Sequence, residues 1–331
     1  MGEIKKEQPL LQVKDLEVLY SSKEIGTCCA INGVDFKIHK GETFGLVGET
    51  GAGKTTIAMS ILNLIPKPPG QIKKGEIIFN GKNLLELNRS KMRKVRGKEI
   101  SMIFQDPMTA LNPIDKVGDQ IAEVIYLHQG VTKKESHQLA GEMMEKVGIP
   151  MERYHDFPHQ FSGGMRQRIV IAMALACSPE LLIADEPTTA LDVTIQAQVL
   201  KMMNELKQTT GSSMLLITHD LGVVAAMCDK VGVIYAGQMQ EYGNVEHIFD
   251  ETGHPYTQGL FDSLPAANGT NTRLKPIKGL MPDPTNLPEG CKFHPRCEYC
   301  TERCKKEVPA LYEVSKGHYV RCFRAEGKGE M

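Results

Sequence analysis

An excess of either charge is missing from this chain: 39 lysines and arginines stand against 40 aspartates and glutamates, a formal net charge of −1 over 331 residues. Proteins whose partner is a polyanion usually carry a basic bias, so nucleic acid is not expected as a partner. A continuous apolar run of about 18 residues is missing too, and with it any expected bilayer-spanning segment. The opening MGEIKKEQPLLQVKDL alternates charged and apolar positions and has no secretory-type apolar region. The expectation is a chain that stays in the cytosol or on the cytosolic face of a membrane. Internal repeats and low-complexity tracts are also absent. What remains is 41% hydrophobic, enough for a sizeable core in one large domain or two smaller ones.

Residues 10–20 and 30–47 read as strands, the first carrying Leu11, Val13, Leu16 and Val18 and interrupted at Lys14-Asp15. Thr43 to Val47 runs into a glycine loop and then a helix from about Gly53 to Leu64, broken by Pro66, Pro68, Pro69 and Gly70. Ile77 to Phe79 leads into Asn80-Gly81, a reversal signal. Ile100 to Phe104 reads as a strand. From about Ile114 to Gly148 the apolar spacing (Val117, Ile121, Val124, Ile125) is helical. The short apolar runs Leu181 to Ala184 and Met214 to Ile217 look like buried parallel strands. Between them Val199, Met203 and Leu206 share a helix face that Gly211 closes. Strands alternating with helices argue an α/β sheet. After about residue 250 proline, cysteine and glycine become frequent and periodicity fades, as in a separate small module.

Gly48-Glu49-Thr50-Gly51-Ala52-Gly53-Lys54-Thr55 fits G-x-x-x-x-G-K-[ST] throughout. Glycines let backbone N–H groups cradle phosphates with no Cβ in the way, and the following helix start favours an anion. Lys54 supplies a point charge and Thr55 a hydroxyl for Mg²⁺. Leu181 to Ala184 ends in Asp185-Glu186, which puts carboxylates at the edge of an open sheet where ligands bind. Asp185 is expected on the metal and Glu186 on the attacking water. His219, just past the second apolar run, is expected at the same edge, where an imidazole can bond a γ-phosphate or relay a proton. The bland readings are a chance glycine turn, a strand that happens to end in acid, and a structural histidine.

Phe161-Ser162-Gly163-Gly164-Met165-Arg166-Gln167-Arg168 resembles the signature of ATP-binding cassette (ABC) proteins, LSGGQ, with Phe for Leu and Met for Gln at the ends. With the two phosphate motifs, residues 10–245 resemble an ABC nucleotide-binding subunit. The resemblance implies an α/β P-loop cassette: a mixed sheet core plus an inserted helical subdomain at about 106–165. It implies ATP and Mg²⁺ as cofactors. Gln105 matches the Q-loop glutamine, Ala190-Leu191-Asp192 the D-loop, His219 the switch histidine, and Tyr20 the aromatic that stacks on adenine, although Tyr20 could equally pack inward. Nucleotide contacts are implied for Tyr20, Gly48 to Thr56 (with Glu49, Thr50, Gly51, Ala52, Gly53, Lys54 and Thr55 between), Gln105, Asp185 and Asp192. Mg²⁺ is implied at Thr55, Gln105 and Asp185; catalysis is implied for Lys54, Gln105, Glu186 and His219. Ser162, Gly163 and Gly164 are implied to serve the ATP of a second subunit.

His254-Pro255-Tyr256-Thr257, Cys291-Lys-Phe-His-Pro-Arg296-Cys297, Cys304 and Cys322 resemble the C-terminal extension of dipeptide and oligopeptide importers. The implied division is an ABC domain over 1–250 and a small, irregular, metal-stabilised domain over 251–331. The implied role is hydrolysis of ATP to energise peptide import, with nickel or oligosaccharide import as the alternative. A soluble ABC ATPase of translation or DNA repair would show paired cassettes, a coiled coil or zinc insertions, and none is visible. Implied partners are a second, related but different ATP-binding subunit, two integral permease subunits and, indirectly, an extracytoplasmic solute-binding protein, with this chain peripheral on the cytoplasmic face. Cysteines in a cytosolic chain rarely pair. The gaps from Cys291 to Cys297, Cys304 and Cys322 are wider than zinc knuckles, and chemistry alone leaves zinc or an iron–sulfur cluster open. The resemblance implies a [4Fe–4S] cluster on those four, with Cys300 a spare thiol; Cys297-x-x-Cys300 could also suggest redox exchange. The basic run Lys91, Arg93, Lys94, Arg96, Lys98, flanked by Glu86 and Glu99, reads as a solvated face.

Overall fold

The computed structural model describes residues 8–23, 26–189, 191–264 and 275–327. The chain divides into two compact units. One takes the residues up to Ile38, Thr43–Leu85, and Thr218 onward; the other takes His39–Glu42 and Glu86–Ile217.

The first unit holds an antiparallel sheet in the order Gly26–Ile38, Leu11–Ser22, Gly70–Phe79, Lys82–Asn83. Leu11, Val13, Leu16 and Val18 all point into the core despite the odd spacing between Val13 and Leu16. A bulge explains it. Asp15 has φ 44°, and the pairing register shifts between Val13 and Leu16, which returns both apolar pairs to one face. The polar Lys14-Asp15 interruption is therefore a kink inside one long strand. The Asn80-Gly81 reversal closes its hairpin with both residues at positive φ (47° and 76°), as a tight two-residue turn requires.

A further run of strands in this unit pairs in the order Tyr312–Ser315, His318–Val320, Gln238–Asn244, Lys230–Tyr235, Thr43–Val47. The last pairing is parallel and the others are antiparallel. The first two strands come from the C-terminal tail, so that tail is less irregular than its sequence. Its attachment is centred on Glu241, which is fully buried. The Glu241 carboxylate meets His318 Nε2 at 2.8 Å and accepts the backbone N–H groups of Gly253 (2.6 Å) and His254 (3.0 Å). Phe44 stacks on Phe36 with centroids 5.0 Å apart, joining the two layers of apolar side chains.

The second unit has parallel strands Ser213–Thr218, Leu181–Asp185 and Ile100–Ile103, in that order. Every residue of Leu181–Asp185 is buried, as the apolar run anticipated for a strand covered on both faces. The helical stretch resolves into Val117–Gln129 and Lys133–Lys146. Gly130 ends the first at φ 70°, and a capping box of Thr132 and Glu135 starts the second. Helices Gly163–Leu175 and Val193–Thr210 complete the unit. Ile169, Ile171, Ala172 and Leu175 of the former, and Val199 and Met203 of the latter, are buried.

Candidate functional site

The phosphate-binding sequence sits between strand Thr43–Val47 and helix Lys54–Ile61. Two glycines are forced. A Cβ on Gly48 would strike the backbone carbonyl of Ile234. Gly53 lies at φ 104°, where a Cβ would come within 2.6 Å of Ile31 Cδ1 and 2.7 Å of the Ala30 carbonyl. Lys54 is buried, and its Nζ donates to the carbonyls of Gly48 (2.7 Å) and Glu49 (3.1 Å), so the ammonium lies over the turn. Thr50, Gly51 and Thr55 are exposed, Thr56 half-buried and Ala52 buried. The turn thus presents a helix start, a fixed cation and a free-facing hydroxyl together, the combination that binds a polyphosphate with a divalent ion.

Glu49 is held from elsewhere in the same unit. Its N–H donates to the Tyr256 hydroxyl at 2.9 Å. Its carboxylate accepts both terminal nitrogens of Arg296, at 2.6 and 3.0 Å. Sequence reasoning gave neither Tyr256 nor Arg296 a task at the phosphate loop. The signal available was only that both stand in the His-Pro-containing segments of the tail. Tyr20, at the end of its strand, is half-buried, and a Cβ at Gly70 would reach within 2.9 Å of its ring. His219 is exposed immediately after strand Ser213–Thr218.

In the second unit Asp185 is buried at the last position of its strand. Glu186 follows at φ 47°, an unusual conformation for a residue with a side chain. Its N–H is held by the Ile217 carbonyl at 2.9 Å. Its carboxylate accepts Gln105 Nε2 and Thr189 Oγ1, both at 3.0 Å. The structure therefore brings two of the expected residues, Gln105 and Glu186, into direct contact.

Ser162 caps helix Gly163–Leu175, accepting the Met165 N–H at 3.4 Å, and Asp192 caps helix Val193–Thr210, accepting the Ile195 N–H at 2.9 Å. Ser162, Gly163, Gly164 and Asp192 line one open cavity of about 590 Å³. Of the expected D-loop, Ala190 lies outside the described residues.

Cys291, Cys297, Cys304 and Cys322 line a common cavity of about 180 Å³, with Phe293 and His254 also in its wall. Burial, reinforced by the neighbouring cysteines, pushes the thiols of Cys291 and Cys297 up to about 11, and that of Cys322 upward as well. Thiols so placed give up protons when a cation compensates the charge. Cys300 is not part of this lining. Among the described residues no three His, Cys, Asp or Glu side chains converge tightly enough to hold a single ion.

Residues 31–189 match the family described as ABC transporter, and residues 240–304 match the C-terminal region of oligopeptide/dipeptide transporters. The chain is 51% identical to the oligopeptide transport ATP-binding protein OppD of Bacillus subtilis, over 95% of this chain and 88% of that one. It is 47% identical to the dipeptide transport ATP-binding protein DppD of the same organism, over 98% and 97%. Among solved structures, the dimeric, post-hydrolysis ATP-binding cassette MJ0796 bound to ADP and Pi superposes with a TM-score of 0.63 at 24% identity, covering 71% of this chain and 98% of that one. The two relatives match nearly the full length of the sequence, the cysteine-bearing tail included, and the chain belongs to the ABC transporter ATPases, as an ATP-hydrolysing member of the oligopeptide and dipeptide transport ATP-binding proteins.

Proposed function

We propose that this chain is the motor subunit of a dipeptide or oligopeptide importer. The observation that carries the reading is the match to OppD and DppD over at least 95% of the chain, tail included. An ABC domain over residues 1–250, with a helical subdomain at about 106–165, does the hydrolysis, and residues 251–331 form the transporter-type extension. The chain works on the cytoplasmic face of the membrane against two integral permease subunits, paired with a second, related ATP-binding subunit; a solute-binding protein outside delivers the peptide.

In this reading Lys54 and N–H groups of the turn Gly48 to Thr56, other than those of Glu49 and Ala52, hold the β- and γ-phosphates, and Tyr20 stacks on the adenine. Thr55, Gln105 and Asp185 are the residues that would hold Mg²⁺, and the ion would supply positive charge beside the phosphates. Glu186 orients and deprotonates the attacking water. Its contact with Gln105 supports this, because the carboxylate is already aimed by a neutral donor that leaves its charge intact. His219 stabilises the transferring phosphoryl group. Ser162, Gly163 and Gly164, with Asp192 beside them in one cavity, serve the ATP of the second subunit. The four cysteines hold a [4Fe–4S] cluster with a structural role. What supports the reading is that all four cysteines line one cavity, with zinc as the alternative occupant.

The test is Glu186→Gln in the assembled transporter. ATP binding is expected to persist while hydrolysis falls by a factor of about 10²–10⁴, the usual contribution of a positioned base. ATP-driven uptake of labelled dipeptide into proteoliposomes should stop with it. Hydrolysis near the wild-type rate removes Glu186 from its role. Uptake of nickel or oligosaccharide but no peptide by the wild type removes the peptide.

A further inference from the structure

A loop of the phosphate-binding type is usually complete in itself: its glycines set the turn and the next helix supplies the dipole. Here Glu49 is also gripped from the far end of the sequence. Arg296 donates to it in the two-pronged fashion, Nη1 to Oε2 at 2.6 Å and Nη2 to Oε1 at 3.0 Å. The Tyr256 hydroxyl accepts its backbone N–H at 2.9 Å. All of these residues lie in the first unit.

Both partners are fixed before they reach Glu49. The Arg296 side chain is only 6% exposed. Its Nε donates to the Lys278 carbonyl at 2.9 Å, leaving the two outer nitrogens aimed at the carboxylate. Tyr256 is fully buried, with its ring 4.7 Å from that of Tyr235 and 5.4 Å from that of Phe293. A pre-oriented guanidinium on a carboxylate is the geometry in which an ion pair holds a position rather than merely neutralising charge.

The grip reaches the inside of the loop. The Glu49 carbonyl accepts Lys54 Nζ and the Ala52 N–H, each at 3.1 Å. One residue therefore has its outer groups bound to the C-terminal segment and its inner oxygen bound to the phosphate-binding lysine. One peptide bond joins Arg296 to Cys297.

We infer that Arg296 and Tyr256 are positioning residues for ATP: the C-terminal segment holds the first half of the phosphate loop in its binding shape, so nucleotide affinity depends on it. The inference rests on the reading of Gly48 to Thr56 as the phosphate site. A loop ordered in advance loses less conformational freedom when nucleotide arrives. Ground state and transition state use the same loop, so releasing it raises KM for ATP and leaves kcat nearly unchanged.

The experiment is a double-mutant cycle on the full chain, with titration by a fluorescent ATP analogue and steady-state hydrolysis in the assembled transporter. Glu49→Gln and Arg296→Met should each raise Kd and KM about tenfold, a common size for coupling between close charged partners. The double variant should be no weaker than either single, Arg296→Lys should fall between, and kcat should stay within about twofold. Multiplying effects in the double variant, an unchanged Kd, or a lower kcat at unchanged KM would each overturn the inference. If Arg296→Met does not fold, Arg296→Lys, which keeps the charge but not the fork, takes its place in the cycle with Glu49→Gln. Lys54→Ala, measured alongside, separates the two readings. If it binds nucleotide like the wild type, the phosphate site itself is misassigned; if it loses nucleotide while the Glu49 and Arg296 variants keep it, only the remote grip is wrong.

Discussion

Two turns at helix starts, one leading into Lys54 and one into Gly163, are both assigned to phosphate, and they are built on opposite plans. The signature turn is capped by its own residues, and its tight approach to other chain is at Gly164, where a Cβ would come within 2.7 Å of Ile195 Cγ2. Ser162 accepts the Met165 N–H, the Arg166 N–H returns to the Ser162 carbonyl, and a Cβ on Gly163 would meet nothing within 4 Å. The phosphate loop leans on distant chain: the Ile234 carbonyl against Gly48, Ala30 and Ile31 against Gly53, Tyr256 and Arg296 on Glu49. A turn of the first kind draws most of its hydrogen bonding from its own residues. One of the second kind works only in the setting that supports it.

Substituting one glycine in each turn puts the contrast under most strain. Gly48→Ala should cost about 3 kcal/mol or more, since the atom in the way is backbone and has little room to yield. A urea midpoint close to wild type would mean that the phosphate loop is as self-sufficient as the signature turn. Acid should separate the two as well. His254 caps the helix that carries Tyr256, and burial lowers its imidazole pKa to about 4. Once unfolded it returns to about 6.5, so the unfolded chain takes up the proton first. Stability of this region is full above about pH 6.5 and is lost progressively as pH falls towards 4, by up to about 3 kcal/mol. His254→Asn keeps an acceptor for the Tyr256 N–H and should flatten that part of the stability–pH curve; an unchanged slope would show that His254 does not set it. The smallest effect is expected at Gly163→Ala, a helix-start glycine in open space, which should stabilise the chain by about 0.5 kcal/mol. Hydrolysis in the assembled transporter should nevertheless fall, because the added methyl stands where the second subunit's ATP is expected. A clear loss of stability would show that the signature turn, too, has hidden support.

What the sequence disclosed follows the same division. The phosphate loop, the signature and the Asp185-Glu186 pair were readable because each is contiguous and each residue type answers a local need. The buried strands were readable from apolar runs. The kink at Asp15 was not: a polar pair inside an alternating pattern marks a strand end as readily as a bulge, and only the partner strands decide. Strands Tyr312–Ser315 and His318–Val320 are too short to show a period, and the strand that orders them, Gln238–Asn244, lies far back in the chain. Arg296 stood in a recognisable segment, yet nothing near it in sequence names Glu49 as its partner. The gathering of four cysteines was legible; the shared cavity required the fold.

The fully buried Glu241 carries this further. Its carboxylate is satisfied by His318 and by the N–H groups of Gly253 and His254, every one of them beyond residue 250. Cutting the chain there would remove all three partners of the carboxylate and uncover the strand edge with which His318–Val320 pairs. The extension is thus built into the part that precedes it, through one carboxylate and one strand pairing. Shortening the chain near residue 250 would therefore exchange a satisfied carboxylate for an unpaired one beside a newly uncovered strand edge.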